Sequence, residues 1–269
     1  LLNDLGKLQD AELSYLKAIE IKPDYAEAHY NLGNILRDLD KLKEAELSTR
    51  KAIKLNPDFA NAHLNLGSIL SDLGNLKDAE LSTRKAIQLN PDFANAHLNL
   101  GSILRDLGNL KDAELSTRKA INIQPNYAEP FSNLGIILTD LGNLQEAELS
   151  YRKAIELNPN FSEVFANLSS LELLQGDYEN GLKNYEFRFK RNKPAKIHCN
   201  TKIQRINNHK LLKGDKLLVV TEQGLGDTLQ YMRYVPYLRN QGIDVSFSAQ
   251  EKLHSVIKAS GIDQSPLTP

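Results

Sequence analysis

Amide and carboxylate side chains recur at two fixed positions along this sequence, and they are the groups best suited to hold another molecule. An asparagine returns every 34 residues, and in four of the five copies an aspartate follows it seven residues later. The asparagines are Asn31, Asn65, Asn99, Asn133 and Asn167, and the aspartates are Asp38, Asp72, Asp106 and Asp140. Because an amide is both a donor and an acceptor, it can pair with a peptide backbone at two points. The two rows therefore predict a binding surface for a protein or an extended peptide.

The same asparagines also have a purely structural interpretation. The amides could hydrogen-bond between neighbouring helices and so hold the repeats together. They could also reflect copied sequence, because the segments 57–90 and 91–124 differ at only four positions. At the level of sequence, both interpretations remain open.

Histidine and cysteine give weaker indications of chemistry. His29, His63 and His97 occupy one repeat position, but each repeat supplies a single histidine, with no cysteine or carboxylate at a fixed short spacing. Since zinc sites bring several such ligands together, we interpret these histidines as packing residues. Cys199 is the only cysteine, which excludes an internal disulfide and offers no cluster of metal ligands. No metal site is predicted.

The elements that must position the polar rows are helical hairpins. Within one period, apolar residues follow the three-and-four spacing of a helix with one buried face, first over 28–39 and again over 42–55. We name these segments helix A and helix B. The predicted buried residues are Ala28, Leu32, Ile35, Leu36 and Leu39 in helix A, and Leu42, Ala45, Leu47, Ala52, Ile53 and Leu55 in helix B. A fixed period in this range predicts a solenoid of stacked hairpins.

Glycine, proline and aspartate mark the ends of these helices. Gly74, Gly108 and Gly142, replaced once by Asp40, stand where a helix end calls for left-handed backbone. A periodic proline such as Pro57 ends helix B, and the aspartate that follows is predicted to cap the next helix A. Glycine also recurs inside helix A, where it costs about 1 kcal/mol relative to alanine. We expect close approach of helix B at Gly33, Gly67, Gly101 and Gly135.

The repeats resemble the tetratricopeptide repeat family. The match rests on Leu32, Gly33, Leu36, Ala45, Ala52 and Pro57 with their later equivalents, and it covers residues 1–194. The resemblance implies a mainly α fold, a right-handed superhelix of five to six hairpins in which the first is partial and the last degenerate. The asparagine row is similar to the asparagine ladder in the inner groove of O-GlcNAc transferases, where peptide substrates lie. Two positions depart from the family, which often has aromatic residues where His29 and Thr49 stand.

Beyond the repeats, the apolar pattern changes from helical to extended. Residues 216–221 are predicted to form a buried strand and residues 227–241 a bent helix, followed by a second strand, which together open a parallel α/β sheet. Gly224 and Gly226 let an anion approach the backbone at the N-terminus of that helix. They are therefore the candidate cofactor-binding residues. The motif lacks both the full dinucleotide fingerprint and a P-loop lysine.

The same C-terminal segment, 216–269, carries a second resemblance. The run 222–230 followed by 233–236 is similar to the start of the glycosyltransferase-like domain in bacterial repeat proteins related to the heptosyltransferases. The resemblance implies an incomplete, Rossmann-like α/β segment in which Asp227 is the candidate general base toward an acceptor hydroxyl. The alternative for Asp227 is a helix cap. A nucleotide sugar is expected only in a full-length enzyme, so no cofactor is expected for this chain.

Composition and charge restrict the remaining classes of function. The 269 residues carry a net charge of −1, which argues against nucleic-acid binding through bulk charge. The sequence contains no apolar run of about 18 residues that would span a membrane. Residues 195–215 form a basic linker, which is either solvated or contacts phosphate. Because the sequence begins at Leu1 inside a repeat, the native N-terminus is expected to be missing, and a cytoplasmic location is expected.

Two functions follow from these patterns. The first is a scaffold that binds protein or peptide in the concave groove of the solenoid. The alternative is the targeting and acceptor-side part of a glycosyltransferase, in which case the chain alone is expected to be inactive.

Overall fold

The computed structural model describes residues 2–190, 203, 206, 210–221 and 224–268. The chain divides into two compact units, residues 1–186 and 187–269. Most of the predicted basic linker at 195–215, including Cys199, lies outside the described residues.

The first unit is a series of helical hairpins. Its A helices are α2 (Ala26–Asp38), α4 (Ala60–Asp72), α6 (Ala94–Asp106), α8 (Ala128–Asp140) and α10 (Ser162–Gln175). Its B helices are α3 (Leu42–Leu55), α5 (Leu76–Leu89), α7 (Leu110–Ile123), α9 (Leu144–Leu157) and α11 (Tyr178–Tyr185). Before them, α1 (Leu2–Ile21) packs on α2 as each B helix packs on the next A helix, and it runs through Gly6 without a turn. The mainly α array of hairpins predicted from the period is confirmed.

The turn from helix A to helix B depends on one residue in the left-handed region. Asp40 has a φ of 60° and its equivalent Gly74 a φ of 79°. In the hairpin of α4 and α5, the Gly74 N–H donates to Ser71 O at 2.9 Å and the Asn75 N–H donates to Leu70 O at 2.8 Å. These bonds satisfy carbonyls at the end of the A helix. The predicted role of glycine, and of Asp40 in its place, is confirmed.

The predicted aspartate caps on the A helices are wrong. The residue preceding α4 is Phe59, and no side chain caps this helix end. Asp58 lies one residue earlier, inside a turn that is closed by the Phe59 N–H donating to Asn56 O at 3.2 Å. A capping side chain must belong to the residue that directly precedes the helix. The turn after the proline is one residue too long for that.

The hairpins that begin with α2, α4 and α6 close on a contact between small residues. Ala45 and Ala52 of α3 and their equivalents in later B helices are fully buried. A Cβ on Gly33, Gly67 or Gly101 would collide with the threonine hydroxyl of the B helix in the same hairpin. At Gly67 and Gly101 it would also lie 3.2 Å from a backbone carbonyl oxygen of that helix. The predicted close approach of helix B is therefore confirmed, and it explains a glycine at this helical position.

One predicted core residue lies on the surface instead. Leu47 is 71 % exposed, and so are its equivalents in the other B helices to a similar degree. Each helical residue turns the side chain by about 100°, so a residue two places after the buried Ala45 points about 200° away from it. Leu47 is apolar and was therefore counted with the buried face of helix B, but its side chain points into solvent.

In the last hairpin, formed by α10 and α11, the glycine is on the B helix and the hydroxyl is on the A helix. Ser169 replaces the glycine of the A helix, and its hydroxyl donates to Gly181 O at 2.8 Å across the hairpin. Glu172, only 1 % exposed, accepts hydrogen bonds from Arg152 Nη2 at 3.0 Å and Asn184 Nδ2 at 2.8 Å. Burial raises the pKa of the Glu172 carboxyl above its ordinary value. The degenerate final repeat thus closes on polar contacts that the other hairpins do not use.

The second unit contains a small parallel sheet. β1 (Lys216–Val220) pairs with β2 (Asp244–Ser248), and α12 (Leu225–Tyr231) and α13 (Tyr234–Asn240) connect them. A 3₁₀ turn and α14 (His254–Ala259) follow β2. The buried hydrophobic residues of this unit are Val235, Ile243, Val245, Phe247, Ala249, Leu253 and Ile257. The predicted pair of parallel strands is confirmed.

The predicted single helix over 227–241 is wrong in its boundaries. The first helix begins earlier, at Leu225, and the chain breaks at Met232 and Arg233 before the second helix starts. Pro236 is the third residue of α13. A proline has no N–H, and in a continuous helix its ring would clash with the carbonyl four residues earlier, at Met232. The break therefore precedes the proline rather than coinciding with it.

Replacing Gly101 by alanine tests the close contact within the hairpin. The added Cβ collides with Thr117, which is fully buried and has little room to move, so we expect a loss of about 1–3 kcal/mol in the free energy of unfolding. Gly6→Ala is the matched control, since it is also a helical glycine but its Cβ would meet nothing within 4 Å. There the gain in helix propensity should stabilise by about 0.5–1 kcal/mol. Equal effects of the two changes on urea denaturation would contradict the packing role.

Candidate functional site

Consecutive A helices are joined side by side by polar contacts, and these contacts define one surface of the first unit. Arg37 Nε donates to Asp72 Oδ2 at 2.6 Å, linking α2 to α4, and Arg105 Nε makes the equivalent bond to Asp140 Oδ2 at 2.6 Å. We call this surface, formed by α2, α4, α6, α8 and α10, the A-helix face. Consecutive A helices pack against each other along their backbones, whereas consecutive B helices within the described residues lie farther apart and are bridged by long side chains, such as Arg118 of α7 to Glu146 of α9. The A-helix face is therefore the inner, concave side of the repeat array.

The four predicted aspartates lie at equivalent places at the ends of their A helices, and all four are exposed. Asp72 and Asp140 are each paired with an arginine of the preceding repeat. Asp106 lies 3.7 Å from Arg105 Nη1 of its own helix, because the preceding repeat has Ser71 where an arginine would be needed. Asp38 makes no ion pair with any described residue. Exposed pairs of this kind contribute about 0–1 kcal/mol each, so the aspartates remain available to a ligand.

Three of the five predicted asparagines are hydrogen-bonded to the preceding hairpin. Asn65 Nδ2 lies 3.3 Å from Thr49 Oγ1, and Asn133 Nδ2 makes the equivalent contact to a threonine of α7 at 3.5 Å. Asn99 uses both ends of its amide, accepting from Thr83 Oγ1 at 3.1 Å and donating to a serine of α4 at 2.9 Å. A hydroxyl can donate or accept, so either orientation of the amide satisfies it. Bonding between neighbouring helices is thus realised at these three positions.

Asn31 and Asn167, at the two ends of the row, differ from the central three. They are half-buried, and neither makes a side-chain hydrogen bond to a described residue. The preceding B helix carries Tyr15 before the first and Tyr151 before the second, in the place of threonine. Tyr151 is 3 % exposed, and this burial raises the pKa of its phenol above the ordinary value. The amides at both ends of the A-helix face therefore keep their donors and acceptors.

The threonines are the residues that sequence reasoning missed. They are Thr49, Thr83 and Thr117, and all three are completely buried at 0 % exposure. Each lies against the glycine of its own hairpin and bonds to the asparagine of the next repeat. The signal was present as a departure from the family pattern at this position. Each threonine stands 16 residues before the asparagine that it bonds.

The three histidines bond to turns rather than to one another. His63 and His97 place Nε2 2.9 Å from the carbonyl oxygen of the preceding repeat proline, and His29 places it at 3.1 Å. This contact ties the start of each A helix to the turn before it. Among the described residues, no group of three or more histidine, cysteine or acidic side chains is arranged to hold a metal ion.

In the second unit, Gly224 directly precedes α12, and Gly226 and Asp227 lie in its first turn. Asp227 is the third helical residue and hence not the residue preceding the helix, because the helix begins two residues earlier than predicted. Its side chain lies outside the described ones. Near the carboxyl ends of the two strands, the buried hydroxyls of Thr221 and Ser248 have no hydrogen-bond partner among the residues that the structure describes.

Known proteins share this architecture. Helical hairpins with a 34-residue period define an α-solenoid repeat protein. Tetratricopeptide-repeat family models match residues 1–40, 26–59, 60–93, 83–114 and 128–161, so the chain belongs to the tetratricopeptide repeat proteins. No curated protein matches the sequence. Within the part of the chain that the structure describes, no helix is both long and apolar enough to cross a bilayer.

Solved structures with similar folds are themselves repeat proteins. YrrB, described as a TPR protein with an unusual peptide-binding site, is 23 % identical over 65 % of this chain and 90 % of its own, with a TM-score of 0.50. PilF of Pseudomonas aeruginosa is 22 % identical over 60 % of this chain and 74 % of its own, with a TM-score of 0.57. The Cut9–Hcn1 assembly of APC/C is 17 % identical over 68 % of this chain and 36 % of that one, with a TM-score of 0.63. At these identities the similarity shows the fold.

Alanine at Asn65, Asn99 and Asn133 together tests the bonds between hairpins. Each change leaves a buried threonine hydroxyl without its partner, so we expect the free energy of unfolding to fall by about 1–3 kcal/mol per site. The control is the double variant Asn31→Ala and Asn167→Ala, which removes the same side chain where no such bond exists. Thermal melting followed by circular dichroism compares the two. A triple variant as stable as the control would show that the amides do not hold the hairpins together.

Proposed function

We propose that this chain is a protein-binding scaffold that holds an extended polypeptide along its A-helix face. The observation that carries the proposal is the row formed by Asp38, Asp72, Asp106 and Asp140, which are exposed at one position in four successive repeats on the concave side. A regular row of this kind matches a chain lying along the array, because each repeat offers the same group to the next part of the ligand. The fold of YrrB, whose structure is described as having a peptide-binding site, is consistent with this use.

The ion pairs on this face favour exchange with a ligand. Arg37 with Asp72 and Arg105 with Asp140 are each more than one-third exposed, so breaking either pair costs about 1 kcal/mol or less. A carboxylate accepts hydrogen bonds from peptide N–H groups and from cationic side chains, and a guanidinium donates to peptide carbonyls. The face can therefore satisfy both kinds of backbone group while losing little of its own stability.

The asparagines divide into two roles under this proposal. Asn31 and Asn167 can pair with a peptide backbone at two points, since neither donates to nor accepts from a described residue. Asn133 is half-buried and keeps one end of its amide for a ligand, while the other end bonds to threonine. Asn65 makes the same threonine bond but is only 6 % exposed, so its role is to hold the hairpins together. Asn99 already uses both ends, so it positions its helix more than it contacts the ligand.

Neutralising the aspartate row tests the proposal. In the quadruple variant with asparagine at Asp38, Asp72, Asp106 and Asp140, we expect weaker binding of unstructured peptides containing lysine and arginine, by about tenfold in Kd. The matched control is Asp78→Asn with Asp112→Asn, which removes exposed aspartates from B helices. Fluorescence anisotropy with labelled peptides measures both. Equal losses in the two variants, or no binding by the wild type, would count against the A-helix face.

A second candidate function comes from the second unit. We propose, as the alternative, that residues 216–269 belong to the acceptor side of a glycosyltransferase whose reaction is protein O-glycosylation. The observation in its favour is the parallel pair of strands with Gly224 between β1 and α12. Asp227 in the first turn of that helix would be the general base, and Gly224 and Gly226 would approach the anionic group of a nucleotide sugar.

Sugar-nucleotide turnover with a donor-binding half supplied distinguishes this alternative from the scaffold, because the acceptor side alone is expected to be inactive. If the scaffold alone describes the chain, we expect no release of nucleotide from labelled nucleotide sugars even when peptide and that half are both present. Turnover that Asp227→Asn abolishes would establish the glycosyltransferase function. Asp244→Asn, a change of an exposed aspartate on β2, is the control for general effects on the second unit.

A further inference from the structure

Five leucines form an exposed row on the side of the array away from the A-helix face. They are Leu13 at 58 %, Leu47 at 71 %, Leu81 at 67 %, Leu115 at 67 % and Leu149 at 68 % exposure. All five occupy one repeat position, 34 residues apart, on α1 and the B helices. We call them the leucine row. Single exposed leucines need no explanation, but a regular row of them marks a surface that contacts another molecule.

Open clefts lie beside this row between successive B helices. The cleft between α3 and α5 has a volume of about 390 Å³, with Ile53 and Leu66 at its apolar base and Leu81 in its wall. A second cleft of about 330 Å³ lies between α7 and α9 at equivalent positions, with Leu149 in its wall. Both volumes fall at the lower end of the range of about 300–1,000 Å³ for ligand sites. Each cleft could accept one or two apolar side chains of a partner.

The charges around the two clefts differ. The cleft between α3 and α5 is lined by Arg50, Lys54 and Lys85 and by no carboxylate. Lys54 makes no ion pair with a described residue, and Lys85 Nζ bonds only to an amide oxygen, that of Gln88, at 3.2 Å. Only Arg50 is paired, with the glutamate one turn earlier on its own helix. This cleft is therefore apolar at its base and positively charged at its rim.

The cleft between α7 and α9 is neutralised by its own residues. Glu146 lines it and pairs with Arg118, whose pKa the hydrogen bond to that carboxylate raises. Lys153 pairs with Glu156 at 2.7 Å, and Asn122 stands where the first cleft has Lys54. The same shape is thus present twice with different charge.

We propose that the cleft between α3 and α5 docks a segment of another protein that inserts a leucine-sized side chain flanked by carboxylates. The apolar base and Leu81 would cover the inserted side chain, and Lys54 and Lys85 would pair with the flanking carboxylates. Attraction between opposite charges at a rim speeds association and excludes the wrong partners. A second copy of this chain fits less well, because apposing two copies of this cleft would bring lysines of the same charge together.

A synthetic acidic peptide provides the test. The probe is a labelled amphipathic peptide in which glutamates flank each leucine, titrated against the full chain by fluorescence anisotropy. Lys54→Glu with Lys85→Glu should weaken binding by at least about tenfold. Asn122→Glu with Lys153→Glu places glutamate at the two equivalent positions of the second cleft and should leave binding unchanged. Circular-dichroism melting of both variants checks that the fold is intact.

The apolar half of the contact has its own matched pair. Leu81→Asn should weaken binding of the same peptide, whereas Leu149→Asn should not, and both leucines are about two-thirds exposed, so neither change disturbs the core. A peptide with glutamine for every glutamate should bind poorly, and raised salt should weaken the wild-type interaction.

Three results would overturn the proposal. If the glutamine peptide bound as tightly as the glutamate peptide, charge would play no part. If the variants of both clefts lost binding equally, the peptide would not prefer the cleft between α3 and α5. Sedimentation of the wild type as a dimer that Leu81→Asn dissociates would assign the surface to a second copy instead. The A-helix face takes no part in these measurements, so their outcome is independent of the polypeptide-binding function proposed above.

Discussion

The close contact between a glycine of the A helix and a threonine of the B helix, made in the hairpins that begin with α2, α4 and α6, governs the geometry of the repeat array. Because Gly67 has no side chain, the hydroxyl of Thr83 can lie against the backbone of α4 inside a fully buried contact. That same hydroxyl donates to Asn99 of the next repeat at 3.1 Å. One buried atom therefore sets both the separation of the helices in a hairpin and the position of the next hairpin. The A-helix face inherits its regular spacing from this contact.

Tyrosine at the same position changes the contact. The ring of Tyr151 fills the space that Gly135 leaves, with its nearest carbon 2.5 Å from where a Cβ would stand. The ring satisfies the packing of the hairpin but offers no bond to Asn167. The residue of the B helix, threonine or tyrosine, thus decides whether the asparagine of the next repeat is hydrogen-bonded within the array or has an amide with no partner among the described residues.

Much of the fold could be predicted from the sequence because the same residue types recur at the same positions in several repeats. The period, the hairpins, the glycine contact and the left-handed Asp40 were all predictable from residue type and spacing. Leu47 was not, because apolar spacing counts residues and does not give the direction of each side chain. The boundaries near Pro236 and Asp58 also differed, since the lengths of turns depend on hydrogen bonds that residue types do not specify.

The candidate site was predictable in part for the same reason. The positions of the aspartates on one face came from the helical period, and the structure places them there. The partners of the asparagines required knowing which helices lie next to each other at atomic distance. For Asp227, residue type alone left two roles open, and the start of α12 at Leu225 removes only the helix-cap role.

The near identity of residues 57–90 and 91–124 has a consequence for how the array can change over generations. Every contact that joins hairpins is made between immediate neighbours, so each unit is interchangeable with its copy. Deleting residues 57–90 would bring Asn99 to Thr49 in the place of Asn65, so the buried bond from threonine to asparagine would be kept. Recombination between the two copies can therefore lengthen or shorten the concave face by one hairpin in a single step. The length of the A-helix face can therefore change by one repeat while the type of contact between neighbouring hairpins stays the same.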